Sequence, residues 1–327
     1  MRILVVRLTA LGDVVLASVL PEALRRRFEG ARVELVTEAR FAPLMVEAAA
    51  FDRVIPYDRN GSHAGWAGVR EVARAIGAER FDAVVDLQGK LRTRALLRHV
   101  KATTKLVLAK RSPLEGMLAL FGHDPPLVHA HTLDLYLSAV STLGVAADET
   151  ARARLRRAPR THGMKLGLSV GATHATKLWP HERFLELARE LRRRFPNAEL
   201  VPIGGPKDKS IVDVLAAEAN GRADVPSLDV VALWRVVSDL DALVGVDSGP
   251  THLAAAVGVP VVALFGPTSP RRWGPRGPAD RIVSRSLPCS PCSNTGGETC
   301  PIGTHACMRE IQVAQVVAAL EQALEPR

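Results

Sequence analysis

The sequence has little of three features that mark common protein classes: cysteine, aromatic residues and long apolar runs. Its 327 residues include four cysteines, all between positions 289 and 307, and 4% aromatics. A secreted disulfide scaffold is small and has its cysteines spread along the chain, so that class is excluded. No run approaches the roughly 18 apolar residues of a membrane-spanning helix. The opening run Ile3–Val6 is closed by Arg7 and is too short for a signal core, so we expect a cytoplasmic protein.

The remaining composition is that of a globular protein with a strong positive charge. Hydrophobic residues make up 47% and charged residues 24%, which excludes a largely disordered chain. Lys and Arg number 43 against 34 Asp and Glu, for a net charge of +9. This balance favours an anionic partner: nucleic acid, an acidic membrane surface or an acidic small substrate. Because no motif interleaves aromatic and basic residues, we expect no nucleic-acid partner.

Short apolar strands alternate with helical segments along most of the chain, which indicates βαβ units around parallel sheets. Predicted strands are 1–7, 32–37, 53–57, 81–87, 106–108, 165–170, 199–203, 242–246 and 261–265. The alternation breaks at the basic stretch 151–160, which we predict to be a linker. The predicted fold class is therefore α/β, with two Rossmann-like, doubly wound domains, 1–155 and 156–327, and a cleft between them.

Open parallel sheets bind ligands beyond the carboxyl ends of their strands, so the turns after strands are candidate sites. The first such turn contains Gly12 and Asp13, and a helix is predicted from there to about residue 28. Asp13 is either a helix-start residue favoured by the helix dipole or a carboxylate that acts as a general base. A later turn carries Lys90, Arg92 and Arg94 at alternate positions, close to Gln88. These side chains are either a clamp for an acidic acceptor or a solvated basic loop.

Two turns in the C-terminal half are candidate diphosphate sites. Asp247 ends an apolar strand, and Ser248-Gly249-Pro250-Thr251-His252 begins a helix. The free N–H groups and positive end of that helix favour an anion, and the hydroxyls and His252 could add donors. Lys177 lies in the polar loop 171–180 and is either a point charge for phosphate or an ordinary surface lysine.

The cysteine spacing leaves the metal question open. Cys289 and Cys292 have metal-knuckle spacing, whereas the gaps to Cys300 and Cys307 fit no standard zinc template. A structural Zn²⁺, free thiols and redox-labile pairs are all compatible with this pattern, and we expect no catalytic metal. The sequence has neither GxGxxG nor GxxxxGK[ST], which argues against dinucleotide-dependent and P-loop proteins.

Taken together, these turns resemble the lipopolysaccharide heptosyltransferases of glycosyltransferase family 9, over most of the chain. The segments that carry the resemblance are Leu11-Gly12-Asp13, Lys177-Leu178-Trp179-Pro180, Gly204-Gly205-Pro206, Asp247–Ala254, Phe265–Thr268 and Cys307–Ile311. The resemblance implies a GT-B fold whose first domain holds the acceptor and whose second holds the donor. It implies inverting transfer of a heptose from ADP-heptose to the acidic inner-core (Kdo) region of lipopolysaccharide. The lipid-linked acceptor implies peripheral contact with the inner membrane, and no cofactor is required.

The resemblance also implies residue roles. Asp13 matches the family's general base and Lys177 its donor-phosphate lysine, while the basic turn at 88–94 matches the acceptor region. The donor site implied by the resemblance comprises Thr173, Lys177, Asp208, Asp247, Ser248, Gly249 and His252, and the Thr251 hydroxyl at the helix start is predicted to join it. The family often has Glu after Gly204-Gly205-Pro206, so Asp208 is predicted as its substitute. A nucleotide-sugar epimerase, which shares this fold and needs no acceptor, is the alternative enzyme.

Overall fold

The computed structural model describes residues 1–77, 80–108, 130–219 and 229–325, which form two compact units. The first unit contains the described residues up to 108 together with Thr132–Arg156. The second contains residues 130–131 and the described residues from Arg157 onward. Each unit is built on one parallel five-stranded sheet.

The sheet of the first unit has the strand order β3-β2-β1-β4-β5. Its strands are β1 Arg2–Val6, β2 Arg32–Glu38, β3 Arg53–Tyr57, β4 Phe81–Asp86 and β5 Ala102–Val107. The central strand β1 pairs on both sides, with Val5 opposite Leu35 and Val85. A strand covered on both faces needs an uninterrupted apolar run, and Ile3–Val6 is fully buried here.

The first unit differs from the prediction in its helices. Its described helices are Leu11–Leu16, Val19–Arg27, Ala42–Glu47, Gly65–Ile76, Leu91–Arg98 and Thr132–Ser138. The single helix predicted from Asp13 to residue 28 is broken after Leu16, so that prediction is wrong in detail. The Ser18 hydroxyl donates to the Val15 carbonyl at 2.7 Å, a local bond of the kind that competes with helical pairing.

The sheet of the second unit has the order β10-β9-β8-β6-β7. Its strands are β6 Lys165–Ser169, β7 Glu199–Ile203, β8 Ala242–Val246, β9 Val261–Phe265 and β10 Arg281–Ser284. All residues of β8 and β9 are buried, as their continuous apolar runs predict. The edge strand β10 was not predicted, because four residues give too short a pattern to recognise.

The helices of the second unit pack on this sheet. Those described are His181–Arg194, Lys209–Ala219, Val230–Asp239, Gly249–Ala256, Pro270–Trp273, Ala306–Arg309 and Val313–Leu324. The fully buried Trp179 packs edge-on against Phe184 and donates its indole N–H to the Ile311 carbonyl at 3.2 Å. This contact ties the Lys177 loop to the C-terminal part of the unit. None of the helices in the described ranges is long and apolar enough to cross a bilayer.

The stretch 151–160, predicted as a linker, contains no helix or strand. The Arg156 N–H donates to the Ala48 carbonyl at 2.9 Å, within the first unit. The next residue, Arg157, donates from its guanidinium to the Ser238 and Leu240 carbonyls at 2.7 and 2.6 Å, within the second. The chain therefore passes from one unit to the other between adjacent arginines, each fixed to its own side.

An ion pair fixes the start of the second unit. Asp239 lies 2.6 Å from Lys165 Nζ and accepts hydrogen bonds from the N–H and hydroxyl of Thr161. Burial alone raises the pKa of Asp239, but Lys165 and Thr161 outweigh it and lower that pKa to about 2. The charged carboxylate is therefore the form that the folded chain favours.

We expect Asp239→Asn to lower the free energy of unfolding at pH 7 by about 1 kcal/mol or more, and by roughly half as much near pH 3. A carboxyl with a lowered folded pKa stabilises above its unfolded pKa of about 3.9, and this stabilisation is lost as the pH falls toward 2. Denaturant unfolding at both pH values measures the difference. The exposed Asp213→Asn is the matched control, because its pairing with Lys209 is solvent-screened. An Asp239→Asn effect of equal size at both pH values contradicts the prediction.

Candidate active site

The predicted site residues follow the strands at which the chain order reverses in each sheet. In the first sheet this switch point lies between β1 and β4, and in the second it lies between β6 and β8. Open α/β sheets bind ligands beyond the carboxyl ends of the strands at such points. Asp13 follows β1 and Gln88 follows β4, while Lys177 follows β6 and Asp247 follows β8. Each unit thus has most of its candidate residues at its own switch point, and Asp208 follows the neighbouring strand β7.

Asp13 is the third residue of the helix Leu11–Leu16, and its side chain is 18% exposed. Its Oδ1 atom lies 2.6 Å from Nη2 of Arg7 and accepts a hydrogen bond from the Tyr136 hydroxyl at 3.1 Å. Its Oδ2 atom accepts the N–H of Ala10 at the longer distance of 3.2 Å. The contacts of Oδ1 therefore orient the carboxylate, whereas Oδ2 accepts a longer hydrogen bond.

Arg7, whose side chain is 6% exposed, holds this carboxylate from the end of β1. Its Nη1 atom donates to the Leu87 carbonyl at 2.7 Å, and its guanidinium lies 5.8 Å from the centre of the Tyr136 ring. Burial lowers the pKa of Arg7, but Tyr136 and Asp13 outweigh it and raise the pKa above its ordinary value. Arg7 is therefore a permanent cation fixed beside Asp13.

Gln88, predicted to bind the acceptor, supports the Asp13 turn. Its Oε1 atom faces the N–H groups of Leu8 and Thr9 at 3.3 and 3.5 Å. The turn that carries Gln88 is itself organised by the buried Asp86, which accepts the Gln88 N–H at 2.9 Å and the Thr93 hydroxyl at 2.7 Å. The first and fourth strands are thus joined at their carboxyl ends by side-chain contacts.

The three basic residues after β4 are not equivalent. Lys90 precedes the helix Leu91–Arg98, so the segment is helical rather than a solvated loop. Residues two apart on a helix lie on different sides, whereas residues four apart share a side. Lys90 and Arg94 are accordingly exposed, and Arg92 turns inward to donate to the Tyr57 hydroxyl at 3.2 Å. The segment thus presents two exposed cations and one arginine held by Tyr57, and its role as an acceptor clamp stays a prediction.

In the second unit, Lys177 forms a buried ion pair with Asp247. The Lys177 side chain is 14% exposed, and its Nζ atom lies 2.7 Å from Oδ2 of Asp247. The same carboxylate accepts the Thr268 hydroxyl at 2.7 Å and lies 3.4 Å from Nε2 of His252. Burial raises the pKa of Asp247, but Lys177 and His252 outweigh it and hold that pKa far below its ordinary value. Lys177 is thus neither free nor an ordinary surface lysine.

The helix Gly249–Ala256 begins directly after this pair. Its first N–H groups have no partner within the helix, and the Ser248 side chain does not cap them. The Thr251 hydroxyl donates its proton to the Val246 carbonyl at 2.6 Å, so this hydrogen bond stabilises the turn instead of serving an anion. A Cβ atom on Gly245 would lie 2.8 Å from the Ser169 Cβ, so glycine lets β6 and this turn approach closely. The Ser248 hydroxyl, Gly249 and the helix end remain as candidate groups for an anion.

The other two predicted donor residues lie on the neighbouring turns. Thr173 is exposed on the turn after β6. Asp208 follows β7 and accepts the Gly205 N–H at 2.8 Å, so its carboxylate shapes the Gly204-Gly205-Pro206 turn. A Cβ atom on Gly171 would lie 2.1 Å from Oδ2 of Asp208, which places this carboxylate directly beside the turn after β6.

The four cysteines are free thiols that lie near one another. Burial, followed by the neighbouring Cys292, Cys289 and Cys300, raises the pKa of Cys307 to about 11. Among the described residues, no three His, Cys, Asp or Glu side chains are grouped so as to hold a metal ion. The structural zinc at these cysteines stays a prediction.

Sequence reasoning missed Arg7, Tyr136 and Thr268. The only local signal for Arg7 was that it interrupts an apolar run, which we used to exclude a signal core. Tyr136 lies 123 positions from Asp13, so no spacing rule connects the two. Thr268 ends the Phe265–Thr268 segment that carried part of the resemblance, but only the neighbouring position of β9 and β8 shows that it reaches Asp247.

Two Rossmann-like units, each built on one parallel five-stranded sheet, are the architecture of the GT-B class. A family model described as glycosyltransferase family 9 (heptosyltransferase) matches residues 69–301, and the chain belongs to this family. The predicted family and fold class are confirmed, and the protein is a glycosyltransferase.

Relatives and solved structures agree with this assignment. Lipopolysaccharide heptosyltransferase 1 of Pseudomonas aeruginosa is 30% identical over 312 residues, 89% of this chain and 86% of its own. The protein of the same name from Escherichia coli K12 is 27% identical over 88% of this chain and 94% of its own. The fold is similar to that of a family 9 glycosyl transferase from Veillonella parvula, with a TM-score of 0.76 at 23% identity over 99% and 97% of the two chains. It is also similar to E. coli heptosyltransferase WaaC with ADP, with a TM-score of 0.75 at 21% identity over 99% and 100%.

Proposed function

We propose that this glycosyltransferase moves a heptose from ADP-heptose to the Kdo-bearing inner core of lipopolysaccharide, with inversion. The arrangement that supports this most directly is the pair of switch-point sites, a carboxylate in one unit and a phosphate-binding lysine in the other. In the proposal, domain 1–155 binds the acceptor and domain 156–327 binds the donor. A lipid-linked acceptor and the net charge of +9 favour peripheral contact with the inner membrane's cytoplasmic face.

The chemical step assigns Asp13 as the general base. The acceptor hydroxyl oxygen attacks the anomeric carbon, the bond from that carbon to the diphosphate breaks, and Asp13 takes the hydroxyl proton. Oδ2 is the proposed proton acceptor, because Oδ1 is held by Arg7 and Tyr136 while Oδ2 has only the long Ala10 contact among the described residues. Arg7 and Tyr136 are positioning residues in this scheme.

The leaving diphosphate is stabilised by Lys177 and the helix that begins at Gly249. Preorganised charge aimed at developing negative charge is typically the largest catalytic contribution. Asp247 holds the Lys177 ammonium 2.7 Å away, and Ser248 and the free N–H groups of the helix add hydrogen-bond donors. Because these groups supply the positive charge, the proposal requires no cofactor.

The names of the relatives support the proposed donor and a lipopolysaccharide acceptor. The curated relatives of P. aeruginosa and E. coli are named lipopolysaccharide heptosyltransferases, and WaaC has been solved with ADP and with ADP-2-deoxy-2-fluoro heptose. Thr173 and Asp208 lie on turns beside the Lys177 loop, and we propose that they contact the donor. The exposed Lys90 and Arg94 suit the carboxylates and phosphates of an inner-core acceptor. Arg92 contacts the Tyr57 hydroxyl and Gln88 contacts the Leu8 N–H, and we propose that both line the same acceptor region.

A two-stage experiment tests the function. The chain is first screened by thermal shift against ADP-, UDP- and GDP-sugars, and the largest stabilisation is expected with ADP-heptose. It is then incubated with ADP-heptose and a Kdo-bearing lipid acceptor, and mass spectrometry is expected to show one added heptose. Conversion of the donor without an acceptor would instead indicate the epimerase, and preference for another nucleotide would correct the donor.

We expect Tyr136→Phe to lower kcat about three- to tenfold with unchanged donor affinity, because it removes one hydrogen bond that orients Asp13. Tyr57→Phe is the matched comparison, since the chain has two tyrosines and the Tyr57 hydroxyl contacts Arg92 instead. That variant should raise the acceptor KM and spare kcat. Steady-state kinetics at saturating donor separates the two. Equal kcat for wild type and Tyr136→Phe removes Tyr136 from the positioning role.

A further inference from the structure

The segment that carries the four cysteines packs against the loop that carries Lys177. We call residues 289–307 the cysteine segment. Thr176, 6% exposed, donates its N–H and its hydroxyl to the Gly297 carbonyl at 3.0 and 2.9 Å. The Gly297 N–H donates back to the Thr176 hydroxyl at 2.8 Å, and Nε2 of His305 lies 2.7 Å from the Thr176 carbonyl oxygen. Four polar contacts from one segment thus converge on the residue before Lys177.

The cysteine segment also touches Lys177 itself. Gly296 has a φ of +93°, and a Cβ atom there would lie 3.1 Å from Cγ and 3.3 Å from Cε of Lys177. It would also lie 2.9 Å from the Cβ of His174. Glycine both adopts this backbone conformation and leaves room for the extended lysine stem. The stem of Lys177 is therefore packed by Gly296, while its ammonium is held by Asp247.

The cysteine segment is itself fixed to the second unit. The N–H groups of Cys292 and Ser293 donate to the Pro267 carbonyl at 3.0 and 2.9 Å, and the Trp273 indole N–H donates to the Asn294 carbonyl at 2.9 Å. At the other end, Cys307 is buried in the hydrophobic core of the second unit. Contacts at both ends make the segment a support rather than a loose covering.

We propose that the cysteine segment positions Lys177 for the diphosphate of the donor, with Thr176 as the positioning residue between them. This inference rests on the proposed function of Lys177. A lysine side chain loses more rotamer freedom than most when it is fixed, so a stem that is already ordered binds phosphate at a smaller entropic cost. Thr176 transmits the position of the segment to Lys177 through the adjacent peptide bond.

The first test compares three threonine variants by titration with ADP, or with whichever of ADP, UDP and GDP stabilises the chain most. Thr176→Val loses the reciprocal hydroxyl contacts, and we expect its affinity to fall roughly tenfold. Thr176→Ser keeps the hydroxyl and should bind within about twofold of wild type. Thr299→Val makes the same chemical change at an exposed position of the same segment and should bind like wild type.

A double-mutant cycle separates positioning from a general structural role. If Thr176 acts through Lys177, adding Thr176→Val to Lys177→Met should change nucleotide affinity by less than about twofold. If the Lys177→Met variant does not fold, the cycle is repeated in the double variant Lys177→Met/Asp247→Asn. This variant removes both buried charges. The inference is overturned if Thr176→Val lowers nucleotide affinity equally in the wild-type and Lys177→Met backgrounds. It is also overturned if Thr176→Val does not lower nucleotide affinity in the wild-type background.

The two proposals fail differently. Should wild type bind none of the three nucleotides, the donor-site assignment is wrong and the inference falls with it. Should wild type bind and Lys177→Met bind weakly while Thr176→Val binds normally, Lys177 keeps its role and only the support by the cysteine segment is refuted.

Discussion

Asp13→Asn is expected to lower kcat by about 100- to 10,000-fold, the usual contribution of a general base. Asparagine keeps an oxygen that accepts from Arg7 and Tyr136, so the turn should hold its shape, but it cannot take the acceptor proton. Donor affinity should stay as in wild type, because Asp13 lies at the switch point of the first sheet while the donor groups follow strands of the second. Initial rates at saturating donor and acceptor, together with donor titration, measure both quantities.

The control for this prediction is a substitution that disturbs the Arg7–Asp13 ion pair but leaves the Asp13 carboxylate in place. Arg7→Lys keeps a cation but loses the fork that reaches Asp13 and the Leu87 carbonyl together. It should reduce kcat by a smaller factor than Asp13→Asn does, because the carboxylate that takes the proton is still present. Turnover of Asp13→Asn at the wild-type rate would refute the base assignment.

Lys177→Met is expected to weaken donor affinity about 10- to 100-fold, since hydrogen bonds to charged groups contribute about 1.5–3 kcal/mol. It is also expected to destabilise the fold by about 3–5 kcal/mol, because it leaves the carboxylate of Asp247 buried without its ammonium partner. Asp247 is 4% exposed, and its remaining partners are Thr268 and the weaker contact to His252. Donor titration and denaturant unfolding report the two effects separately.

A second variant divides the structural from the functional effect. Lys177→Met with Asp247→Asn removes both charges and should recover most of the lost stability while donor affinity stays low. Lys209→Met is the matched control, because the exposed Lys209 pairs with Asp213 across one helical turn. Recovery of donor affinity in the double variant would show that Lys177 contributes to stability alone.

Much of the fold was predictable because parallel strands covered on both faces require continuous apolar runs. The runs at 53–57, 199–203, 242–246 and 261–265 have the predicted bounds in the structure. Elements with a weaker local pattern were missed. The basic segment Leu91–Arg98 has few apolar positions, and the structure stabilises it by packing Leu96 and Leu97 in the core. The β10 edge strand is likewise defined by its pairing with β9.

The candidate site was predictable in its members but not in its pairings. Glycine-containing turns after strands indicated Asp13, Lys177 and Asp247, because such turns place polar groups at the ligand-binding edge of a parallel sheet. Lys90, Arg92 and Arg94 were predicted in a turn, whereas the structure has a helix from Leu91, on which residues two apart lie on different sides. The alternative interpretation of Asp13 as a helix-start residue gave no reason to expect a cation beside it, so Arg7 was missed.

The amino-acid pattern alone determined the βαβ alternation, the family and the turns that carry the site, since each depends on neighbours within a few positions. The tertiary structure decided which of those turns meet. Lys177 reaches Asp247 across 70 positions, and Tyr136 reaches Asp13 across 123. These pairings exist because β6 lies beside β8, and because the helix Thr132–Ser138 returns to the first unit. Strand order is set by how whole apolar faces pack, which is a property of the assembled sheet and cannot be read from any short segment.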